Sequence, residues 1–399
     1  MARIGLFGGS FNPVHNGHVH AARAFLRLLS LDRLIVMPAA DPPLKTLPNG
    51  SPDAQTRMRM LHAAMEDVPG AEISDLEIRR GGKSYTYDTL LQLRALYPND
   101  DLYLLMGTDG LLTFDRWFRY DEVFSLAKLG VALRSDLSSK DRESVQNCAE
   151  RYRKDFGAEI TLFDNEVLEI SSTTVRRMLF FGCGDDYLPA SVSETIRSES
   201  LYGCGQSYRN LIYPRLEEVS LSLHDESRKA HAVGCSRTAK ELARLYGVNE
   251  TDAERAGILH DLTKALRPPE QLRLCRQYGI IVDEYPPDQY KLLHGKTAAA
   301  AAKVIFGEND AVCGAISWHT TGKADMTQLE KILYIADYIE PNRRFDGVDE
   351  LRRLAYTNLD AAVLLGIETT IDLLLRDGRS LNRYSLEARD FLKSERKHL

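Results

Sequence analysis

The sequence predicts an α/β protein, a doubly wound parallel sheet, followed by an all-α domain, and three observations carry that reading. Short apolar runs alternate with helical stretches through the first half, as βαβ units require. In the second half apolar residues recur at helical spacing and β-branched runs are few. Between the halves lie Gly182-Cys183-Gly184-Asp185-Asp186 and Tyr202-Gly203-Cys204-Gly205-Gln206-Ser207. These turn-forming clusters put the boundary near residue 205, with domains of 1–205 and 206–399.

Taken in order, Arg3-Ile4-Gly5-Leu6-Phe7 is a short apolar run suited to a buried parallel strand. It breaks at Gly8-Gly9, and a helix is expected over 17–29. Residues 33–38, 101–107 and 128–133 supply three more strands. Sheets wound this way bind ligands beyond the carboxyl ends of their strands. In the second half, helices are expected at 226–246, 251–265, 291–306, 309–318 and 327–340. The run Ala298 to Ala302 is a strong helix former.

At 399 residues the chain exceeds one ordinary core, which favours two domains. Its 44% hydrophobic and 27% charged residues are those of a soluble globular protein. A net charge of −6 argues against nucleic acid or an acidic membrane as partner. A phosphate-bearing ligand must then be held by local cations, metals or backbone amides. The six cysteines are scattered without a CxxC pair, as expected of reduced thiols in a cytoplasmic protein. The N-terminus enters a strand pattern without a signal-peptide profile, and no apolar stretch approaches the roughly 20 residues of a membrane helix.

The first chemical signal is Gly8-Gly9-Ser10-Phe11-Asn12-Pro13-Val14-His15-Asn16-Gly17-His18. The glycines let backbone approach a ligand, and the following helix start offers free N–H groups to phosphate. His15 and His18, at H-x-G-H spacing, can both reach one triphosphate. The run is neither GxGxxG nor GxxxxGK[ST], which excludes a hydride-transfer site and a P-loop. His20 and His62 are read as structural.

With these residues the first half resembles the HxGH nucleotidyltransferases, whose fold is Rossmann-like. Within them it is similar to the nicotinate (nicotinamide) mononucleotide adenylyltransferases, over about residues 3–203. Pro42-Pro43-Leu44-Lys45 matches a loop with a phosphate-contacting lysine, though Leu44 stands where that family usually has His. Ser84 to Leu90, Met106-Gly107-Thr108-Asp109, Arg116-Trp117 and Ile170 to Arg176 match further segments, with Val175 in place of Ile. The resemblance implies His15 and His18 as catalytic residues. It implies ATP contacts at Gly8, Gly9, Ser10, Phe11, His18, Gly107, Asp109, Ser171, Ser172 and Arg176, with Mg²⁺ arriving on the ATP. Lys45, Thr86 and Trp117 would hold the mononucleotide, whose phosphate attacks the ATP α-phosphorus in line as pyrophosphate leaves.

The second signal is a set of histidines and aspartates spread along predicted helices. His231 opens one, His260-Asp261 ends the apolar run Ala256-Gly257-Ile258-Leu259, and His294, His319 and Asp337 follow. A buried, unpaired carboxylate or imidazolium is costly, and metal coordination is the usual remedy. The order H…HD…H…H…D resembles the HD superfamily of metal phosphohydrolases. Leu293 to Lys296, His319 to Gly322 and Ile335 to Arg343 are similar to the symmetrical diadenosine tetraphosphate hydrolases, over about residues 216–399. That resemblance implies one metal on His231, His260, Asp261 and Asp337, and a second completed by His294 and His319. A pair of Fe, Mn or similar ions suits such ligands. Lys264, catalytic in this reading, and Arg343 would reach phosphate oxygens. His224-Asp225 is also an HD dipeptide, but it lacks the surrounding pattern and is read as a surface turn or helix cap.

The leading reading is a bifunctional enzyme acting on ATP with nicotinate mononucleotide, and on diadenosine tetraphosphate. The alternatives keep the transferase and give the second half another nucleotide, or a non-catalytic sensing role. A homo-oligomer is compatible with either.

Overall fold

The computed structural model describes residues 1–133, 137–164, 170–282 and 285–395. The chain divides into two compact units, Met1–Gly205 and Gln206–Leu399.

The first unit is built on six parallel strands: β1 (Arg3–Gly9), β2 (Arg33–Pro38), β3 (Ala71–Ile73), β4 (Asp101–Gly107), β5 (Lys128–Leu133) and β6 (Ile160–Asp164). Their order is β3-β2-β1-β4-β5-β6. Four were expected from their apolar runs. β3 and β6 were not, because both are edge strands with half-exposed side chains and give no continuous apolar signal.

Period-two alternation sends successive side chains to opposite faces, and each face is covered. Leu102, Leu104 and Met106 of β4 pack with Leu90, Phe114 and Val123 on one side. Tyr103 and Leu105 pack with Phe25, Met60 and Val175 on the other. Burying each such side chain contributes about 1.5–3 kcal/mol, and the charged residues of the central strands, Arg3, Arg33, Asp101 and Lys128, stand only at their first positions. Strand order reverses between β1 and β4, so a crevice opens at their carboxyl ends.

The second unit is helical throughout its described residues. Five helices carry the residues singled out above: Glu226–Leu245, Glu250–Leu259, Leu293–Ala301, Asp310–Trp318 and Gln328–Ile339. The expected 251–265 helix ends at Leu259, leaving His260 at its C-cap. His231 does not open its helix, which begins at Glu226. Leu293–Ala301 runs on into a π-helical turn, Ala302–Phe306. Gly257 is where two helices touch: a Cβ there would lie 2.5 Å from Ser236 Cα. That close crossing brings the end of one helix, with His260, against the helix bearing His231.

Two candidate active sites, one in each unit

In the first unit, Gly8 and Gly9 end β1 and Gly107 ends the neighbouring β4. A Cβ at Gly8 or Gly107 would meet no atom within 4 Å, so backbone borders open space at both strand ends. The loop after Gly9 passes through a positive φ of 44° at Phe11 and a cis Asn12–Pro13 peptide. Its carbonyls are held by side chains. Arg57 Nη1 donates to Ser10 O at 2.6 Å and its Nη2 to Ala39 O at 2.8 Å. Ser172 Oγ donates to Pro13 O at 2.9 Å, and Arg176 Nη1 to Asn12 O at 2.5 Å. The Tyr202 hydroxyl donates to Asn12 Oδ1 at 2.8 Å.

Arg176 thus grips the loop as well as lining it, and also donates to Thr173 Oγ1. Phe11 is only 1% exposed and packs against Phe7 and His18, so its backbone alone can meet a nucleotide.

His15 is the N-cap of the helix Asn16–Leu28, and the two histidine rings lie 3.7 Å apart. The His15 N–H donates to His18 Nδ1 at 3.2 Å. Burial lowers the His18 pKa to about 4, so at neutral pH its single proton sits on Nε2. Burial, and then the neighbouring His18, holds His15 well below the ordinary imidazole value. The group His18 offers is a neutral N–H donor, not a cation.

The other expected residues also follow carboxyl ends of strands. Ser171 caps the helix Ser172–Phe180, accepting from Thr174 N–H at 3.0 Å. Asp109 is exposed on the short helix Thr108–Leu112 that leaves Gly107. Lys45 is exposed on the loop after β2, which is fastened by an Asp41–Lys83 ion pair of 2.8 Å. Thr86 is half-buried at the start of the helix Thr86–Leu96. Trp117 is half-buried against Phe114, while the exposed ring beside it is Phe118, 4.5 Å from Tyr85.

In the second unit all four singled-out histidines share one device. His260 Nδ1 bonds Gly257 O at 2.7 Å, His294 Nδ1 bonds Lys291 O at 2.6 Å, and His319 Nδ1 bonds Ile316 O at 2.7 Å. A carbonyl only accepts, so each Nδ1 carries a proton and each Nε2 is left to face the aspartates. In His260, burial is outweighed by the Asp261 carboxylate, which raises the ring well above the ordinary imidazole value, so its Nε2 carries a proton too. His231 does the same with a side chain: its Nδ1 lies 3.1 Å from Glu340 Oε1.

The freed Nε2 atoms converge on the aspartates. His231 Nε2 lies 3.1 Å from Asp337 Oδ1 and 3.3 Å from His260 Nε2, which is 3.4 Å from Asp261 Oδ2. On the other side of the same carboxylate, Asp261 Oδ1 lies 3.3 Å from His294 Nε2 and 3.5 Å from His319 Nε2. Asp261 therefore stands between two half-sites and can bridge them. Burial raises both carboxyls, but the surrounding imidazoles, led by His260 for Asp261 and by His231 for Asp337, hold them well below the usual range.

Donors about 2 Å from one ion stand about 3 Å from each other, which is the spacing seen. Asp261 Oδ1 is buried with no hydrogen-bond donor, and lone pairs face it. The donor set fits a pair of divalent metals. Lys264 Nζ stands 3.0 Å from His294 Nε2, and Arg343 donates to Asp337 Oδ1.

Glu340 was missed by sequence reasoning. It is 1% exposed, and its Oε2 accepts from Asn342 N–H at 2.7 Å. A Cβ on Gly234 would fall 2.5 Å from that oxygen, so the glycine makes room for it. The available signal was its place three residues after Asp337, one helical turn on. Arg57 and Tyr202 gave none, since neither sits in a motif.

His224 is not at the surface. It closes the helix Tyr213–Leu223, is 7% exposed, and its Nδ1 bonds Ser220 O at 2.8 Å. Ser220, one turn earlier, faces inward, and helical spacing carries His224 inward with it. Asp225 occupies the N-cap position of the next helix.

Comparison with known proteins places both units. Residues 6–178 match the cytidylyltransferase-like family and 228–342 the HD domain. A probable nicotinate-nucleotide adenylyltransferase of Clostridium novyi is 37% identical over 179 residues, 45% of this chain and 88% of that protein. A Mycoplasma genitalium protein named probable nicotinate-nucleotide adenylyltransferase/Ap4A hydrolase is 27% identical over 382 residues, covering 93% of this chain and 99% of its own. A crystal structure titled predicted HD superfamily hydrolase involved in NAD metabolism, from Clostridium acetobutylicum, aligns at 34% identity. It covers 46% of this chain and 98% of its own, with a TM-score of 0.44.

Two outcomes follow from the geometry. Glu340→Ala should weaken metal retention about 10–100-fold, as expected for a carboxylate orienting a ligating imidazole; chelator competition measures it, and unchanged metal affinity would contradict that role. Acid should loosen the first unit. Folding depresses the His15 and His18 pKa values, so the unfolded chain takes up protons first, and stability present above pH 6.5 is lost as pH falls toward 4. In a Trp318→Phe variant, Trp117 is the only tryptophan and reports this unit alone. Its unfolding midpoint should fall on the order of 5 °C between pH 7 and pH 5, and less in His18→Ala.

Proposed function

Because the chain belongs to the nicotinate-nucleotide adenylyltransferase family through its first unit and carries an HD domain in its second, we propose that it joins two reactions. The first unit transfers the adenylyl group of ATP to nicotinate mononucleotide, giving deamido-NAD and pyrophosphate. The second hydrolyses diadenosine tetraphosphate symmetrically to two ADP. The Mycoplasma relative, whose name pairs these activities, supports the pairing over nearly the whole chain.

The observation that carries the first reaction is the side-chain-held loop at the strand-order reversal, with His18 at its end. The mononucleotide phosphate forms its bond to the α-phosphorus as the bond to pyrophosphate breaks. The chain's task is alignment and hydrogen-bond donation to oxygens gaining charge. Gly8, Gly9, Gly107 and Asp109 border the nucleotide, His18 Nε2–H donates to its phosphates, and Ser172 and Arg176 keep the loop in place beneath them. Lys45, Thr86 and Trp117 take the mononucleotide. Mg²⁺ comes with ATP, since no cage of protein ligands surrounds this site among the described residues.

The second reaction rests on the converging imidazole nitrogens and carboxylate oxygens. His231, His260, Asp261 and Asp337 would hold one ion, and His294 and His319, across Asp261, another. Fe, Mn or similar ions suit this set and, when bound, supply Lewis acidity and an activated water. The protein's own part is to keep the tautomers fixed and to present Lys264 to phosphate. No helix of the described residues is long and apolar enough to cross a membrane, and the cysteines are free thiols. Both support a cytoplasmic enzyme.

Chromatography of products from ATP with either mononucleotide, and from diadenosine tetraphosphate, tests the assignment. His18→Ala should cut dinucleotide synthesis about 10²–10³-fold and leave hydrolysis intact. Asp261→Ala should remove bound metal and hydrolysis together and leave synthesis intact. After chelation, Mg²⁺ alone should restore synthesis and only weakly restore hydrolysis, whereas Mn²⁺ or Fe²⁺ should restore both. Full hydrolysis by metal-free protein given Mg²⁺ alone would refute the transition-metal assignment.

A further inference from the structure

Arg228 lies one helical turn before His231 and donates from Nη2 to Asp261 Oδ2. That oxygen faces His231 and His260 and is a donor the metal needs. A guanidinium and a divalent ion on one carboxylate oxygen repel each other and compete for its charge. Loading the site therefore loosens Arg228 from Asp261. Arg343 is held differently: besides Asp337 Oδ1 it donates from Nε to Asp337 O at 2.7 Å, so the backbone retains it. Arg228 has no such second tether. Its Nε–H is enclosed and meets no acceptor. Its side chain is 30% exposed against 1% for Asp261, so it reaches from the buried donors to solvent.

The buried His224 supplies the complement. Its Nδ1 donates to Ser220 O, so its Nε2 carries a lone pair, and that atom is enclosed with no donor. Four residues apart, the chain thus keeps one donor without an acceptor and one acceptor without a donor. Leaving such buried groups unmade is expensive, and each is matched by the other. We propose that Arg228 is a phosphate-binding residue of the second site, parked on Asp261 until metal claims that carboxylate, and that His224 is its positioning residue, accepting the Nε–H once the guanidinium turns. The two Nη groups are then directed at phosphate oxygens, the fork geometry that suits arginine to this ligand. The HD dipeptide that fell outside the metal pattern acquires a role through its histidine. The inference rests on reading the second unit as a metal phosphohydrolase, and is independent of which nucleotide it cleaves.

The test uses the full chain loaded with Co²⁺, whose visible absorption bands report the metal's surroundings, titrated with inorganic phosphate. Phosphate should shift the wild-type bands saturably. Arg228→Gln should keep its cobalt and bind phosphate about tenfold more weakly or worse. His224→Phe should also keep cobalt and weaken phosphate several-fold, and His224→Gln, which retains an acceptor near the Nε2 position, should recover most of the loss. Unchanged phosphate affinity in Arg228→Gln overturns the proposal. So does loss of cobalt in that variant, which would make Arg228 a support for Asp261 rather than a ligand for phosphate. A His224→Phe variant that is less stable but binds phosphate normally removes His224 from it. Wild-type protein that takes up no cobalt defeats the metal-hydrolase reading itself. Wild-type protein that shows the phosphate response yet spares diadenosine tetraphosphate defeats only the choice of substrate.

Discussion

Ring nitrogens of four imidazoles and oxygens of two carboxylates meet in the second unit, with Arg228, Arg343 and Lys264 donating to them. Each Nδ1 is committed to a carbonyl or, in His231, to Glu340, so no ring can turn its proton inward without abandoning a bond of 2.6–3.1 Å. Two buried carboxylates this close need positive charge beside them, and Arg228, Arg343 and His260 supply it. The helical unit is arranged around that requirement. Two histidines occupy helix C-caps, where the ring reaches back to a carbonyl three residues earlier. A third lies in the first turn of its helix and bonds a carbonyl just outside it. Metal binding in this unit is less an addition to a finished fold than the cancellation of a charge arrangement that the fold creates.

The first unit meets a similar need by other means. On the function proposed for it, the ligand is a polyanion that brings its own counterion, so the chain supplies neutral donors and backbone rather than a cage. What must be fixed there is the path of a loop, and buried cations do the fixing. Arg57 is 1% exposed and engages two carbonyls that lie on different segments. Its positive charge sits beneath the loop, adding to the potential that draws phosphate without touching it.

Much of this architecture is legible in the sequence, for identifiable reasons. Central strands are buried on both faces and read as apolar runs, whereas β3 and β6, at the sheet edges, do not. Five helices of the second unit were foreseen from their apolar spacing, whereas Pro268–Tyr278 and Leu359–Arg376 were not. The six residues read from the sequence as metal ligands lie together in the structure. Glu340, Arg228 and His224 stayed hidden because their roles depend on which atom of a neighbour is already occupied. That is a property of three-dimensional hydrogen bonding, not of spacing. His224 and Asp225 are helix caps, as one of the two alternatives had it, but the surface alternative fails for His224, which its helix turns inward.

Gly234 has no side chain, and its missing Cβ is what allows the Glu340 carboxylate to sit where it steadies His231. The two positions, more than a hundred residues apart in sequence, are consequently not free to vary one at a time. Any side chain at 234 evicts the carboxylate, and a shorter residue at 340 removes the reason for the glycine. Their effects on the metal centre should be strongly non-additive, an epistatic pair in which the second change costs little once the first has been made. Across related chains the tolerance of each site would then depend on the occupant of the other, so a glycine buried in a helix marks the fate of an acid on another.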